Sequence, residues 1–373
     1  MRFVVGLRPG CCFFSAAFLT LFVILASTLA IDGASAQART TTTTTFNCGS
    51  PIPPCGSTVT TTSVGANTGG IAADAVTSAV QTDIEEIRKR RTADPDTQAN
   101  LWGQSSISGQ NQSGLFNGSD IGSVSRTWDG LAGFDITRSL SSGGTLTYGL
   151  LGGDSYTLSS IPTGATANTR SLTAGLYLVY ATGNFSADFN YSSSWMSNGG
   201  KDVNTVTVVP FGTGGAQTAT TTTSSTARGT VTMAQDYDAN VHYRYNLSNN
   251  WWLEPTAGAS LVHDVESTGL EDMNVWQLKA GTSAGTSFMW GRTKIEPSFT
   301  AQAYSDVSVT GGTVKGGSPI STDQGQLWGK GVAKLNYVWT RNLSSAISGE
   351  LYGTRGTETS IGYKAGVELR YAW

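Results

Sequence analysis

The last thirteen residues decide the fold: Ile361-Gly362-Tyr363-Lys364-Ala365-Gly366-Val367-Glu368-Leu369-Arg370-Tyr371-Ala372-Trp373. Ile361, Tyr363, Ala365, Val367, Leu369, Tyr371 and Trp373 alternate with Gly362, Lys364, Gly366, Glu368, Arg370 and Ala372. A period of two belongs to an extended strand, whose side chains point to opposite faces in turn. One face here is wholly apolar and the other carries Lys, Glu and Arg. That combination fits a strand with hydrocarbon on one side and water on the other. The stretch 184–195 repeats it, with Phe185, Ala187, Phe189, Tyr191 and Trp195 on the apolar phase. So does 235–246, with Tyr237, Ala239, Val241, Tyr243 and Tyr245.

Extended outward, the pattern predicts twelve segments, near 100–109, 123–138, 144–157, 168–182, 184–197, 229–246, 249–265, 272–287, 290–304, 325–340, 342–354 and 359–373. Each matches or exceeds the roughly 9–11 residues that a tilted strand needs to cross a bilayer. The connections run alternately long and short. The short ones fall near Ser142-Gly143-Gly144, Gly183, Asn246 to Asn249, Met289 and Arg341, and the longest covers 198–228 with the polar run Thr220 to Ser225. Short periplasmic turns and longer external loops characterise outer-membrane barrels, and an even strand count returns both barrel ends to the periplasm.

Composition agrees. Only 13% of the 373 residues are charged, while 46 are glycine; an ordinary soluble domain is about 25% charged. Mean hydropathy is −0.12, and past residue 31 no run approaches the ~18 apolar residues of a spanning helix. A membrane protein without such helices must close its strands into a cylinder, because lipid offers backbone groups no partner. A net charge of −3 and a pI near 5.4 argue against a nucleic-acid partner.

The ten tryptophans test the topology, since interfacial aromatics gather in two belts. Trp251, Trp290, Trp339 and Trp373 fall at predicted periplasmic strand ends; Trp128, Trp195, Trp276 and Trp328 fall near external ends. The polar phase holds Asp129, Asp135, Asp188, Asp236, Asp238, Arg244, Glu254, Lys279, Arg292, Lys294, Glu296, Lys330, Lys334, Glu350, Lys364, Glu368 and Arg370, which would line a wet lumen. On the apolar phase, charges such as Arg126, Arg138, Arg170 and His263 occur only near strand ends. With both signs in the lumen, no strong ion selectivity follows.

The N-terminal quarter differs. Arg2 and Arg8 precede the apolar run Phe13 to Leu29 and the small residues Ala34-Ser35-Ala36 and Ala36-Gln37-Ala38, which together read as an export signal over 1–38. Residues 39–71 form a flexible segment rich in Thr and Gly. Within it Cys48 and Cys55 bracket a Pro-rich stretch, where an oxidising periplasm permits a local disulfide. Ile71, Ala75, Val76, Val80, Ile84 and Ile87 then recur at helical spacing. Arg88, Lys89, Arg90 and Arg91 crowd the C-terminal end and Asp94-Pro95 follows, so a helix is expected within 72–95, leaving 96–373 for the barrel.

A helix leading into twelve strands, with a terminal strand ending in an aromatic, resembles the autotransporter β-domain. That resemblance implies an all-β, twelve-stranded antiparallel transmembrane barrel with one α-helix inside the lumen, in the outer membrane of a Gram-negative bacterium. The helix would link a passenger to the pore, and residues 72–91 hold its position. Val367, Leu369, Tyr371 and Trp373 look like the C-terminal signal read by the barrel-assembly machinery. The implied surroundings are that machinery and outer-membrane lipid, with the barrel monomeric. Between signal and helix lie about 33 residues, too few for a folded passenger.

Three functions compete: a translocator-type barrel that displays or passes its short N-terminal segment, a passive porin-like or structural barrel, and an adhesive surface built from external loops. No catalytic, cofactor or metal site is expected. His242 falls on the lumen phase and His263-Asp264 near a strand end, without a second carboxylate pair. Gly281-Thr282-Ser283-Ala284-Gly285 matches the hydrolase elbow string but falls inside a predicted strand with no helix after it, which removes the geometry that motif needs.

Overall fold

The computed structural model describes residues 98–373, apart from 114, 117–118, 121–122, 142, 161–165, 210–218, 266–271, 311–326 and 356–358, together with strands in 37–45 and 56–65. Twelve strands make the cylinder: β1 Gln98–Ser113, β2 Ser123–Ser139, β3 Thr145–Ser160, β4 Thr166–Thr182, β5 Phe185–Val209, β6 Ala219–Tyr243, β7 Trp252–Val265, β8 Met273–Gly285, β9 Thr293–Thr310, β10 Leu327–Val338, β11 Leu343–Arg355 and β12 Thr359–Ala372. Each pairs antiparallel with the next. β12 returns to β1 from Thr359↔Ser113 to Ala372↔Asn100. Closure satisfies the backbone of every strand and leaves the cylinder no edge.

Alternation drives this arrangement. On β2 and β3 the exposed Trp128, Phe134, Tyr148 and Leu150 interleave with the buried Thr127, Asp129, Asp135 and Thr147. Leu150 is 66% exposed, Leu172 60% and Ile361 62%. So broad an apolar exterior would drive association in water and is stable only against hydrocarbon.

Connections at one end are tight. Gly183 (φ 55°) and Gly291 (φ 64°) adopt the left-handed conformation of their turns, which costs a residue without Cβ nothing. The second turn corrects the sequence reading: Phe288–Trp290 still pairs with β9, from Phe288↔Ile295 to Trp290↔Thr293, so the chain reverses at Gly291-Arg292 and not at Met289. Arg292 is therefore an exposed turn residue outside the strands, and the lumen phase does not reach it.

Two further differences lie at the opposite, long-connection end. Residues 198–228 are mostly a paired ribbon rather than a loop: β5 and β6 stay in register as far as Val208↔Ala219, with one slip between Ala227 and Thr230. The Thr-rich run there favours extended backbone, because β-branched side chains suit a pleated surface. Likewise Gln37–Thr45 pairs with Gly56–Gly65, where no regular structure was expected. The second of these strands adds to the β5 extension, from Gly56↔Val209 to Thr62↔Val203. Gly65 thus belongs to the long-connection end, whereas Gln98 starts β1 at the short-turn end. The helix expected in 72–95, Cys48 and Cys55, and nearly all of the export signal lie outside the described residues.

Candidate functional site

The interior wall is the candidate site. Its polar side chains are tied across strands in three groups. On β1–β4, Trp102 Nε1 donates to Tyr177 Oη at 3.0 Å, and Tyr177 Oη donates to Asp135 Oδ2 at 2.8 Å. Asn100 Nδ2 also donates to Asp135. Beside them lies an apolar knot of Trp102, Leu131, Leu151, Tyr177, Val179 and Ala181. The knot needs glycine on neighbouring strands: a Cβ on Gly133 would lie 2.3 Å from the Trp102 ring, and one on Gly149 would lie 2.3 Å from the Tyr177 ring. Both aromatic rings therefore lie flat over bare backbone.

The second group joins β5, β6 and β7. His242 Nε2 lies 2.6 Å from Asp188 Oδ2, and its Nδ1 lies 2.9 Å from Thr256 Oγ1 and 3.6 Å from Glu254 Oε1. Asn240 Nδ2 donates to Asp188 Oδ1 at 2.9 Å and also to Asp238. Lys279 of β8 closes the group with an ion pair to Asp238. These side chains are buried, so each charge depends on its partners, since an unpaired one would be costly.

The third group runs over β8–β12 and back to β2. Lys330 pairs with Glu350 at 3.5 Å, Lys334 with Glu368 at 3.4 Å, Arg370 with Glu368 at 3.3 Å and Lys364 with Asp129 at 3.6 Å. Lys279 and Lys330 both approach the Tyr304 ring, at 5.9 and 6.0 Å, within range of cation–π attraction.

Charge is unevenly spread around the wall. Among the described side chains, β2, β5, β6 and β7 carry inward acids (Asp129, Asp135, Asp188, Asp236, Asp238, Glu254) but no inward Lys or Arg of their own, whereas Lys279, Lys330, Lys334, Lys364 and Arg370 stand on β8, β10 and β12, interleaved with Glu296, Asp306, Glu350 and Glu368 of β9, β11 and β12. The wall is charged, with acids in excess on β5–β7 and bases concentrated on β8, β10 and β12. Arg244 and Lys294 sit nearer the short-turn rim: Arg244 lies 4.2 Å over the Trp252 ring, and Lys294 pairs with Glu296 at 2.8 Å.

Outside, Trp251, Trp290, Trp339 and Trp373 are exposed at the short-turn end, and Trp128, Trp195 and Trp276 toward the other. Trp328 lies in β10, in register with Tyr304 of β9 and Thr354 of β11. Val367, Leu369, Tyr371 and Trp373 all face outward. Trp373 exchanges backbone bonds with Ala99, at 3.1 and 3.4 Å, at the barrel seam.

Sequence reading missed the knot and the clamp around His242. The stretch Leu176-Tyr177-Leu178-Val179 is apolar on both phases, so periodicity cannot say which side faces inward. The partners of His242 lie 54 and 14 residues away and carry no local signature. Ser283, of the elbow-like string, sits within β8 and bonds Thr300 Oγ1 at 2.8 Å.

A closed antiparallel cylinder with an apolar exterior, aromatic rows and a charged interior defines an outer-membrane β-barrel of the Gram-negative type. Residues 101–350 match the autotransporter β-domain family model, and the chain belongs to that family. Its fold is similar to the β-domain of the Bordetella autotransporter BrkA, at 15% identity and a TM-score of 0.52, covering 73% of this chain and 98% of that one. The translocator domain of NalP from Neisseria meningitidis aligns at 9% identity and a TM-score of 0.48, over 80% of this chain and 97% of that one. The transport unit of AIDA-I from Escherichia coli aligns at 18% and 0.47, over 73% and 90%. No curated protein sequence matches the chain. The protein is an outer-membrane barrel of translocator type.

Proposed function

We propose that the barrel displays its short N-terminal segment at the cell surface, with residues 66–97 threading the lumen, the short turns in the periplasm and the long connections outside. One observation carries this: Gly56–Gly65 adds to β5 at the long-connection end, while Gln98 begins β1 at the other. The chain between them has to pass from end to end, and the interior wall offers charged partners for a polar peptide on that route. The basic run Arg88 to Arg91 suits the acidic arc of β5–β7. The interior charges hold and hydrate the threaded segment; they do not catalyse. The outward row Val367, Leu369, Tyr371 and Trp373 serves as the tag read by the assembly machinery.

Added protease on intact cells tests display. Cleavage within 39–70, without loss of the barrel, is the expected result. Protection of those residues on intact cells together with cleavage after permeabilisation would refute it.

A further inference from the structure

Arg126, Asp154 and Arg170 interrupt the apolar outer wall, and all three stand on β2–β4 in its long-connection half. The register places Arg170 opposite Tyr156, which is opposite Trp128; Arg126 is opposite Leu158. Trp128 and Tyr156 stack with ring centroids 6.3 Å apart and an interplanar angle of 25°, and such amphipathic rings mark the level of lipid headgroups. The arginines therefore stand where a cation costs little, and where phosphate groups of a membrane leaflet lie. Arg170 has an intramolecular partner, Asp154, at 3.6 Å, but the two side chains are 74% and 60% exposed. An ion pair so open to solvent holds its guanidinium weakly. A guanidinium fork matches phosphate oxygens two at a time. Two strand spacings, about 10 Å, separate the strands that carry the two arginines. Leu158 and Leu172, 42% and 60% exposed, flank them with apolar surface.

We propose that this wall binds a phosphorylated glycolipid of the outer leaflet, with Arg126 and Arg170 on its phosphates and Leu158 and Leu172 against its acyl chains. The proposal rests on the reading that the long connections face outside. The full chain would be reconstituted in phosphatidylcholine nanodiscs with diphosphoryl lipid A, dephosphorylated lipid A or phosphatidylglycerol, and retained lipid measured by native mass spectrometry. Diphosphoryl lipid A should be retained selectively. R126Q/R170Q should reduce retention about tenfold or more, the loss expected from removing two charge-assisted contacts. Asp154→Asn, which removes the competing carboxylate, should raise it. Equal retention of the dephosphorylated lipid or of phosphatidylglycerol, or unchanged retention by R126Q/R170Q at equal folded yield, would overturn the proposal. Orientation is checked separately by protease cutting in 210–218 on intact cells: protection there sinks the orientation alone and leaves the nanodisc result standing.

Discussion

At the scale of single residues, the barrel imposes opposite demands on its two faces. Leu369 is 57% exposed on the outer wall, between Ser345 of β11 and Gly103 of β1. Leu369→Arg puts a guanidinium into hydrocarbon, which costs about 2 kcal/mol or more away from the interfaces. The fraction running as compact barrel on unheated gels should fall. The inner wall penalises size instead. Gly133→Val drives two methyl groups into the Trp102 ring. Overpacking of this kind costs roughly 1–3 kcal/mol, read as lower thermal stability in detergent together with a changed tryptophan emission. Asp188→Ala removes the acceptor shared by His242 and Asn240 and leaves both buried donors without it. Its expected cost is about 1–3 kcal/mol, whereas a carboxylate on the outer rim such as Asp154 should be close to neutral for stability.

Elements differ in what they contribute. The ribbon formed by residues 203–208 of β5 and 219–224 of β6 continues past the neighbouring strands that complete the cylinder. Replacing 203–224 with a short Gly-Ser turn should leave the heat-modifiable barrel intact, a result that a structural role for the ribbon in closure would contradict. β12 is different. It supplies the seam with β1, with Trp373 bonded to Ala99 and its ring 6.0 Å from that of Phe134. If the outward row ending in Trp373 is the assembly tag proposed above, deleting Trp373 should reduce the amount of folded barrel in the outer membrane while leaving refolding in detergent less affected, since such a tag acts only in the cell.

For the whole molecule, the question is whether the lumen is filled. If residues 66–97 thread the cylinder, the intact protein should show small conductance in a planar bilayer, and deletion of 72–91 should raise it. Large conductance with those residues present would leave the porin-like alternative standing and remove the threading. Loss of residues 39–70 should not change the barrel itself, since twelve strands close without them.

The strand count, the closed all-β class, the membrane setting and the family were legible in the linear chain. Hydrocarbon outside and water inside force a two-residue period onto every crossing strand, and a period is a local property that survives without coordinates. Reading β12 alone already fixed which of its side chains face lipid. What only the tertiary structure decided are pairings between distant residues. These are the clamp of Asp188 and Thr256 on His242, the Trp102–Tyr177–Asp135 chain, and the attachment of 56–65 to the end of β5. Such contacts depend on which strand lies beside which and at what register. That relation is set by closing the cylinder, an event that no stretch of sequence records by itself.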